Sequence, residues 1–247
     1  MLKFSNSGNA KLKNIISFNI ASGWSCPFAD KCLSKADPVT GKITDGPKTE
    51  FRCFSASQES LYPAVRKQRM GNFEALRKLR TVGEMVQEIN SALPKVKRSG
   101  EGKIVRLHVA GDFFNQNYFD AWLEVARLNP ERVFYAYTKS LQYWVNRLGQ
   151  IPVNMKLNAS VGGKQDNLIE MYGLKSAVVV YSEAEAADKG LEIDHDDSHA
   201  YAQDESFALL LHGTQPKGSK AAEAKRALAK AGWTGYRKEK GREKMNN

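Results

Sequence analysis

The chain has 247 residues, of which 42% are hydrophobic and 10% aromatic, and its 37 basic and 27 acidic residues give a formal net charge of +10. These values are typical of a globular protein, and no run of about 18 apolar residues is present, which excludes a helical membrane protein. The amino-terminal segment MLKFSNSGNAKLKN has charge but no apolar stretch behind it. We therefore expect no secretory signal, no membrane partner and a cytoplasmic location, that of the host cell if a phage encodes the protein.

Positive charge is concentrated in residues 62–103 and in the last dozen residues, 236–247. Such charge favours DNA or RNA as a partner through phosphate contacts, although a solvated surface explains it equally well. The composition of residues 236–247 predicts a basic, disordered tail. No repeat or linker divides residues 1–235, so we expect one domain there.

Three cysteines lie near the amino terminus, and the rest of the chain has none. An apolar strand is expected over residues 15–20, and it leads into a loop, residues 21–32, that contains Cys26 and Cys32. Residues 33–51 are rich in Gly, Pro, Asp and Thr and predict a surface loop or hairpin before Cys53. An odd number of thiols in a reducing compartment favours a metal, a cluster or a reactive thiol over a disulfide framework.

Residues 55–93 show helical spacing in two segments with a break near Gly71. Beyond residue 102, strand and helix patterns alternate. The strands are expected over residues 103–111, 132–138, 154–162, 175–182 and 206–213, and the helices over residues 116–130, 141–150, 165–173 and 219–232. Residues 183–205 are acidic and predict an exposed helix and loop. The alternation predicts an α/β fold, a parallel (β/α) barrel of the TIM type, complete or partial, with a doubly wound sheet as the rival.

Ligands of parallel β/α folds bind where the strands end. Asp112 follows one strand and could bind an amine, act as a base or attack as a nucleophile, or it could simply cap the next helix. Lys139 follows another strand and could hold a carboxylate or phosphate. We take Asp112 and Lys139 as candidate catalytic residues. The candidate cofactor-binding residues at these strand ends are Gly111, Asp112, Thr138, Ser140, Ser160 and Gly162.

The three thiols are soft ligands that suit an iron–sulfur cluster or zinc. Zinc with three cysteines normally takes a fourth ligand, for which His108 and His212 are the candidates. The third possibility is that the cysteines bind nothing and are small packing residues or unrelated free thiols. Residues 194–199 combine two histidines with three acids, which fits either a divalent metal site or an ordinary hydrophilic loop.

The segments FNIASGWSCPFADKC, RCFSAS and RLHVAGDFFNQNYFDAWLEVARLNPERVFYAYTKS resemble a family of tailed-phage gene products that has a three-cysteine motif and no assigned activity. The resemblance covers about residues 15–165. The layout is also similar to that of radical S-adenosylmethionine enzymes, because three cysteines follow the first strand and the second strand ends in a small-residue turn with an acid.

The second resemblance implies that Cys26, Cys32 and Cys53 hold a [4Fe–4S] cluster. It also implies that S-adenosylmethionine chelates the fourth iron while Gly111 and Asp112 form the turn that holds its amino group. In those enzymes the cysteines lie close together in sequence and an aromatic residue precedes the last one. Here twenty residues separate Cys32 from Cys53, and Phe54 follows the last cysteine.

Three functions remain open on the sequence. The first is a phage-type iron–sulfur enzyme that acts on nucleic acid or a nucleotide. The second is a base-exchanging transglycosylase for DNA or RNA, in which Asp112 is the nucleophile and zinc is structural. The third is a non-catalytic nucleic-acid-binding module whose cysteines fix a loop.

Overall fold

A computed structural model describes residues 1–6, 12 and 14–233 of the chain. The strands are β1 (Phe4–Asn6), β2 (Ile16–Phe18), β3 (Ser34–Ala36), β4 (Ile43–Asp45), β5 (Ile104–Leu107), β6 (Val133–Thr138), β7 (Met155–Ser160), β8 (Ser176–Val180) and β9 (Phe207–Leu210). The helices are α1 (Phe54–Leu61), α2 (Pro63–Arg77), α3 (Val82–Ala92), α4 (Gln116–Leu128), α5 (Leu141–Val145), α6 (Asn167–Met171), α7 (Glu183–Asp188), α8 (Ser198–Ala202) and α9 (Lys220–Lys230).

The main sheet of the described residues has seven strands in the order β1-β2-β5-β6-β7-β8-β9. From β2 to β9 all neighbours are parallel, and β1 is antiparallel to β2. The expected α/β fold with a mostly parallel sheet is therefore confirmed. The strand order follows the chain without reversal, which rules out the doubly wound rival, since that fold requires a reversal.

The sheet does not close into a barrel. Closure would require β9 to pair with the outer edge of β2, but β1 occupies that edge, with Phe4 opposite Phe18. Strand β1 was not expected from the sequence. A complete TIM-like barrel is thus not formed, and the sheet is an open parallel array with one antiparallel edge strand.

The face of the sheet covered by α2, α3 and α4 carries the largest apolar core. Val105 and Leu107 of β5 and Phe134 and Ala136 of β6 lie on this face at every second position. Helix α4 contributes a stripe of buried side chains at helical spacing, including Phe119 and Trp122. The stripe therefore belongs to the core, as its spacing predicts.

The opposite face is covered by the segment 194–202. Tyr135 and Tyr137 of β6 point to this face, and α8 lies against β6 and β7. The expectation that residues 183–205 form an exposed segment is wrong at Asp194 and Asp197, which are buried. The physical reason is that Asp197 accepts hydrogen bonds from Arg106 and Tyr135 within the fold.

The region 55–93 also differs from its expected division. The helices break at Pro63, which occupies the first turn of α2, and at Thr81, which forms a capping box with Glu84 at the start of α3. Gly71 instead lies within α2, where no atom lies within 4 Å of the position its Cβ would take. The expected break at Gly71 is therefore wrong.

Residues 236–247, for which a disordered tail is expected, lie outside the described residues. The single-domain organisation of residues 1–235 stays a prediction. Over residues 1–6, 12 and 14–233, no helix has the length and apolar character that a membrane span requires.

Candidate functional site

The cysteine loop, residues 21–32, lies across the carboxyl ends of the central strands. Its first contact is with the end of β5, where Ile20 N donates to Ala110 O at 3.1 Å and Asp112 N donates to Ser25 Oγ at 3.4 Å. A Cβ on Gly111 would lie 2.5 Å from Ile20 Cγ1 and 2.6 Å from Ser25 Oγ, and Gly111 has φ +87°. Only glycine fits this backbone and this contact. Gly111 thus allows the cysteine loop to pack on β5.

The far end of the cysteine loop is attached to the turn after β7. Lys31 N donates to Gly162 O at 3.0 Å, and Lys164 N donates to Phe28 O at 2.9 Å. Ala29 and Gly163 form an isolated antiparallel bridge. The loop therefore spans from β5 to β7 over the carboxyl edge of the sheet.

A buried ion pair fixes the start of the cysteine loop. Glu59 of α1 accepts from Ser22 Oγ at 2.8 Å and from Ser22 N at 3.1 Å. Arg69 of α2 donates to the same carboxylate at 3.1 Å. Because both charged side chains are buried, the geometry of this pair defines the position of the loop against α1.

The β3–β4 hairpin returns the chain to the cysteine loop and brings Cys53 to Cys32. Gly46 N donates to Leu33 O at 2.7 Å, and Glu50 N donates to Lys31 O at 2.8 Å. Cys53 N then donates to Ser34 Oγ at 3.3 Å. The twenty-residue gap between the second and third cysteines is thus a looped-out hairpin, as predicted, and not a spatial separation.

The loop after β9 packs on the other side of Cys53. Gln215 Oε1 accepts from Arg52 N at 2.8 Å, and the His212 ring lies 5.0 Å from the Phe54 ring. Ser57 Oγ donates to Thr214 O at 3.3 Å. The start of α1 is therefore held between the hairpin and the β9 end of the sheet.

The three cysteines are half-buried free thiols, and the pKa values of two of them, Cys26 and Cys53, are raised. Burial raises the pKa of Cys26 well above its usual value, and Asp112, Cys53 and Cys32 each raise it further. Burial raises the pKa of Cys53 to about 11, Cys32 adds to the rise, and the backbone amides of Ala56 and Ser55 oppose it. We call the three cysteines and Asp112 the thiol site, because Asp112 N donates to Ser25, next to Cys26, and Cys53 N donates to Ser34, two residues after Cys32. Cys26 and Cys53 are accordingly neutral thiols at neutral pH when nothing is bound to them.

The iron–sulfur cluster and the zinc ion that the sequence suggests both stay predictions. Among the described residues, no three or more histidine, cysteine or acidic side chains are grouped closely enough to hold one ion. Zinc requires its ligands within about 2.3 Å of a single point, whereas the thiolates of a four-iron cluster bind separate iron atoms around a larger body. His108 Nε2 is instead paired with Tyr118 Oη, and His212 Nδ1 is paired with Leu210 O.

Asp112 is buried and firmly oriented at the end of β5. Its carboxylate accepts hydrogen bonds from Thr138 Oγ1 at 2.6 Å, Phe113 N at 2.7 Å and Lys139 N at 2.8 Å. Burial raises its pKa to about 6, and these hydrogen bonds limit the rise. The alternative that Asp112 caps the next helix is wrong, since Asn115 caps α4 through its side chain.

Lys139 is also buried, and its ammonium group is fully occupied by the end of β7. Nζ donates to Ser160 Oγ at 2.7 Å, to Ser160 O at 2.9 Å and to Val161 O at 2.9 Å. An ammonium group has three protons, so these contacts use all of them. In this arrangement Lys139 connects β6 to β7, and its catalytic role stays a prediction.

The remaining strand-end candidates belong to the same hydrogen-bond network. Ser140 Oγ donates to Phe113 O at 2.7 Å, and Ser140 N donates to Thr138 Oγ1 at 2.9 Å. Gly162 N donates to the carboxylate of Asp166 at 2.7 Å, so the turn after β7 already binds an anion of its own chain. The structure thus brings the predicted site residues together, but their polar groups mainly satisfy one another.

A cavity of about 660 Å³ lies beside the thiol site, between the turn after β7, strand β8 and the start of α9. Lys31 and Phe51 contribute to its wall, and they precede Cys32 and Cys53 by one and two residues. The sequence analysis missed this cavity, because its lysines and glutamates follow no motif. The one sequence feature that points to the cavity is the position of Lys31 and Glu50, which flank the hairpin between Cys32 and Cys53.

Part of the basic charge of residues 62–103 serves the interior. Arg66 and Arg69 are buried, and Arg66 donates to the backbone oxygens of Glu59 and Val39. At the exposed surface, Arg77 and Lys97 form ion pairs with nearby glutamates. The regional charge excess therefore overstates the number of cations free to meet a nucleic acid, and DNA or RNA binding stays a prediction.

Comparison with known proteins gives one family and one curated relative. The family model described as Gene product 88 matches residues 2–231. The "Gene 88 protein" of Mycobacterium phage L5 is 30% identical over 140 residues, which are 53% of this chain and 51% of the relative. The chain thus spans about half the length of the curated relative that it matches. No solved structure matches it significantly.

Proposed function

The chain belongs to the Gene product 88 family, which confirms the resemblance to a phage gene-product family, and we propose that its three cysteines hold a [4Fe–4S] cluster in an enzyme that modifies nucleic acid or a nucleotide. The observation that carries this proposal is the thiol site itself. Cys26, Cys32 and Cys53 come from a strand-end loop and a helix start, and hydrogen bonds at the adjoining residues Ser25 and Ser34 hold these segments near Asp112 at the carboxyl edge of the parallel sheet. Ligand sites of parallel β/α proteins lie at this edge.

Three thiolates leave one iron of such a cluster without a protein ligand. The bound cluster would supply one-electron chemistry, and its open iron is the position that S-adenosylmethionine takes in the enzymes this layout resembles. The chain's own contribution is to hold the thiols half-buried, which limits contact with water. Cys26 Sγ also accepts a hydrogen bond from Gly23 N at 3.3 Å, a contact that stabilises a thiolate.

Asp112 is the candidate for binding an amino group beside the cluster. Its Oδ2 accepts one hydrogen bond, from Lys139 N, and therefore retains capacity for a second donor. Thr138, Ser140 and Lys139 hold the carboxylate and the neighbouring strand ends in position. Gly111 lets the cysteine loop pack on β5, because a Cβ there would meet Ile20 and Ser25, and its place in the cofactor turn stays a prediction.

The net charge of +10 supports a polyanionic or phosphorylated substrate. The transglycosylase alternative shares the nucleophile candidate Asp112 and the same substrate class. It differs in requiring zinc, for which the described residues offer no ready four-ligand group.

Metal analysis of protein purified without oxygen tests the proposal. We expect a brown protein that binds about four iron and four sulfide per chain after reconstitution. The single variants Cys26→Ser, Cys32→Ser and Cys53→Ser should each lose most of the iron. Ser91→Ala, an exposed serine on α3, is the matched control and should retain it.

The fold of each sample is verified by circular dichroism, so that loss of iron is not confused with unfolding. Folded, colourless wild-type protein without iron after reconstitution would overturn the proposal. One zinc per chain, lost in the same three variants, would also overturn it and would favour the transglycosylase. A covalent DNA adduct that disappears in Asp112→Asn would then be the next observation to seek.

A further inference from the structure

We propose that the cavity beside the thiol site binds a nucleoside phosphate. Its volume, about 660 Å³, lies within the range of about 300–1,000 Å³ that is usual for small-molecule sites. Its walls come from parts of the chain that are distant in sequence: the cysteine loop, the hairpin return, β8, α7 and α9. The cavity is thus a product of the fold and not a gap within one loop.

The walls combine an apolar surface with aromatic rings. Val161, Val178 and Val179 are apolar lining residues. Phe51 and Tyr181 are partly buried, and both pack against the apolar cluster under α7 and α9. Flat rings fixed in this way provide a surface on which a nucleobase can stack, a contact that proteins binding single-stranded nucleic acids commonly use.

The charges around the cavity favour an anion. Lys31 is paired with Glu50 at 3.0 Å, and Lys189 is paired with Glu185 at 3.7 Å. Lys220 makes no ion pair with any residue in the described ranges, and it is the first residue of α9. One uncompensated cation at the positive end of an eleven-residue helix is well suited to a phosphate group.

The position of the cavity connects it to the thiol site. Glu50 N and Phe51 N both donate to Lys31 O, so the segments that enter Cys32 and Cys53 form the wall between the two sites. A nucleoside phosphate in the cavity would therefore be separated from the thiols by these two segments. Binding rests on the cavity alone, whereas the identification of this ligand as the substrate rests on the proposed function.

Titration calorimetry on the full chain tests the binding. The probes are the four ribonucleoside monophosphates and inorganic phosphate, at low and at moderate salt. We expect at least one nucleotide to bind, and Lys220→Ala to weaken its binding about tenfold, which corresponds to about 1.4 kcal/mol. Lys225→Ala is the matched control, since Lys225 is an exposed lysine on the same helix but does not line the cavity.

A second variant tests the charge argument in the opposite direction. Glu50→Gln removes the partner of Lys31 while preserving the shape of the side chain, so we expect it to tighten nucleotide binding a few-fold. The side chain of Glu50 is more than half exposed, and the substitution should leave the fold intact.

Several results would overturn the proposal. These are the absence of nucleotide binding to the wild type, equal losses in Lys220→Ala and Lys225→Ala, and inorganic phosphate binding as tightly as every nucleotide. Displacement of the nucleotide by S-adenosylmethionine would make the cavity a cofactor site and would overturn its assignment to the substrate. Iron analysis of the same samples after anaerobic reconstitution separates the two ideas, because nucleotide binding by a protein that takes up no iron would overturn the cluster and support the cavity.

Discussion

The sheet carries two groups of buried polar residues, and they are built in opposite ways. The thiol site lies at the carboxyl edge, where the cysteines are half-buried and a cavity lies alongside. The second group, here called the Asp197 network, lies on the face covered by the segment 194–202 and consists of Arg106, Tyr135, Tyr137 and Asp197. Its carboxylate is 1% exposed and is bonded to Arg106 at 2.5 Å and to Tyr135 Oη at 2.6 Å.

The difference concerns what each group leaves for a ligand. Arg106 also lies over the ring of Tyr137, 4.8 Å from its centroid, and Tyr137 Oη donates to Asp197. This network fixes the packing of the segment 194–202 against the sheet, and of its side-chain atoms only Arg106 Nε is buried without a hydrogen-bond partner among the described residues. At the edge, by contrast, the thiols are half-buried and Asp112 Oδ2 accepts a single hydrogen bond. Burial of polar groups alone therefore does not identify a functional site here, whereas incomplete enclosure does.

The largest effect on stability should come from breaking the Asp197 network. Asp197→Asn leaves the Arg106 charge without its partner, which costs about 3–5 kcal/mol of unfolding free energy for a buried pair. Asparagine tolerates the left-handed backbone at this position, φ +67°, so the loss reports the missing charge. Urea unfolding measures it.

The control for this variant is Asp204→Asn at an exposed position, which should change stability by less than about 0.5 kcal/mol. Folded Asp197→Asn protein should also load as much iron as the wild type. Loss of iron from a fully folded Asp197→Asn variant would contradict the independence of the two groups, because it would show that Asp197 affects the thiol site.

The second effect is on acid stability and concerns His108, which follows β5 but faces the aromatic core. Its Nδ1 has no hydrogen-bond partner among the described residues, its ring lies 4.7 Å from that of Phe113, and burial lowers its pKa to about 3. In the unfolded chain the His108 ring takes up a proton near pH 6.5, whereas in the folded chain it stays neutral down to about pH 3. Stability is therefore lost as the pH falls through this window.

Between about pH 7 and about pH 4, this linkage should cost about 3 kcal/mol. His108→Asn, whose side chain suits the left-handed backbone at φ +63°, should remove that part of the acid sensitivity. Denaturant unfolding at both pH values measures the difference, with exposed His195→Asn as the control. An unchanged pH dependence would place His108 in a wet environment and not in the sealed interior.

The sequence predicted the parallel sheet because each β/α unit carries its own periodicity, as in β5, α4 and β6. It also predicted the gathering of strand-end residues, since parallel strands end at one edge. The antiparallel strand β1 was missed because its three residues, FSN, are too few to show the alternation of apolar and polar residues that marks a strand. The failure of the barrel to close follows from β1, and so it could not be foreseen.

The burial of Asp194 and Asp197 was missed for a different reason. Acidic residues are usually exposed unless they have a buried partner. The partners of Asp197, which are Arg106 and Tyr135, lie about 60 to 90 residues away in sequence. The same limit applies to Lys139, which a strand-end position favours as a catalytic residue. Its three acceptors at the end of β7 are visible only in three dimensions.

The smallest effect separates backbone strain from packing at the thiol site. Gly111 and Gly100 have nearly the same left-handed backbone, φ +87° and φ +85°. An alanine at Gly100 meets no atom within 4 Å, whereas one at Gly111 meets Ile20 and Ser25 below 3.0 Å. Gly100→Ala should therefore cost about 1 kcal/mol from the backbone alone, and Gly111→Ala about 1–2 kcal/mol more.

The same pair of variants tests how the cysteine loop depends on β5. Because a Cβ on Gly111 displaces the loop between Ile20 and Ser25, Gly111→Ala should also lower the iron content of reconstituted protein, and Gly100→Ala should not. Unfolding curves and iron analysis on the same preparations measure both quantities. Equal stability losses in the two variants would show that the loop yields easily at this contact. The position of the cysteine loop would then depend on the hydrogen bonds between Glu59 and Ser22 and on the β3–β4 hairpin, and not on the contact with β5.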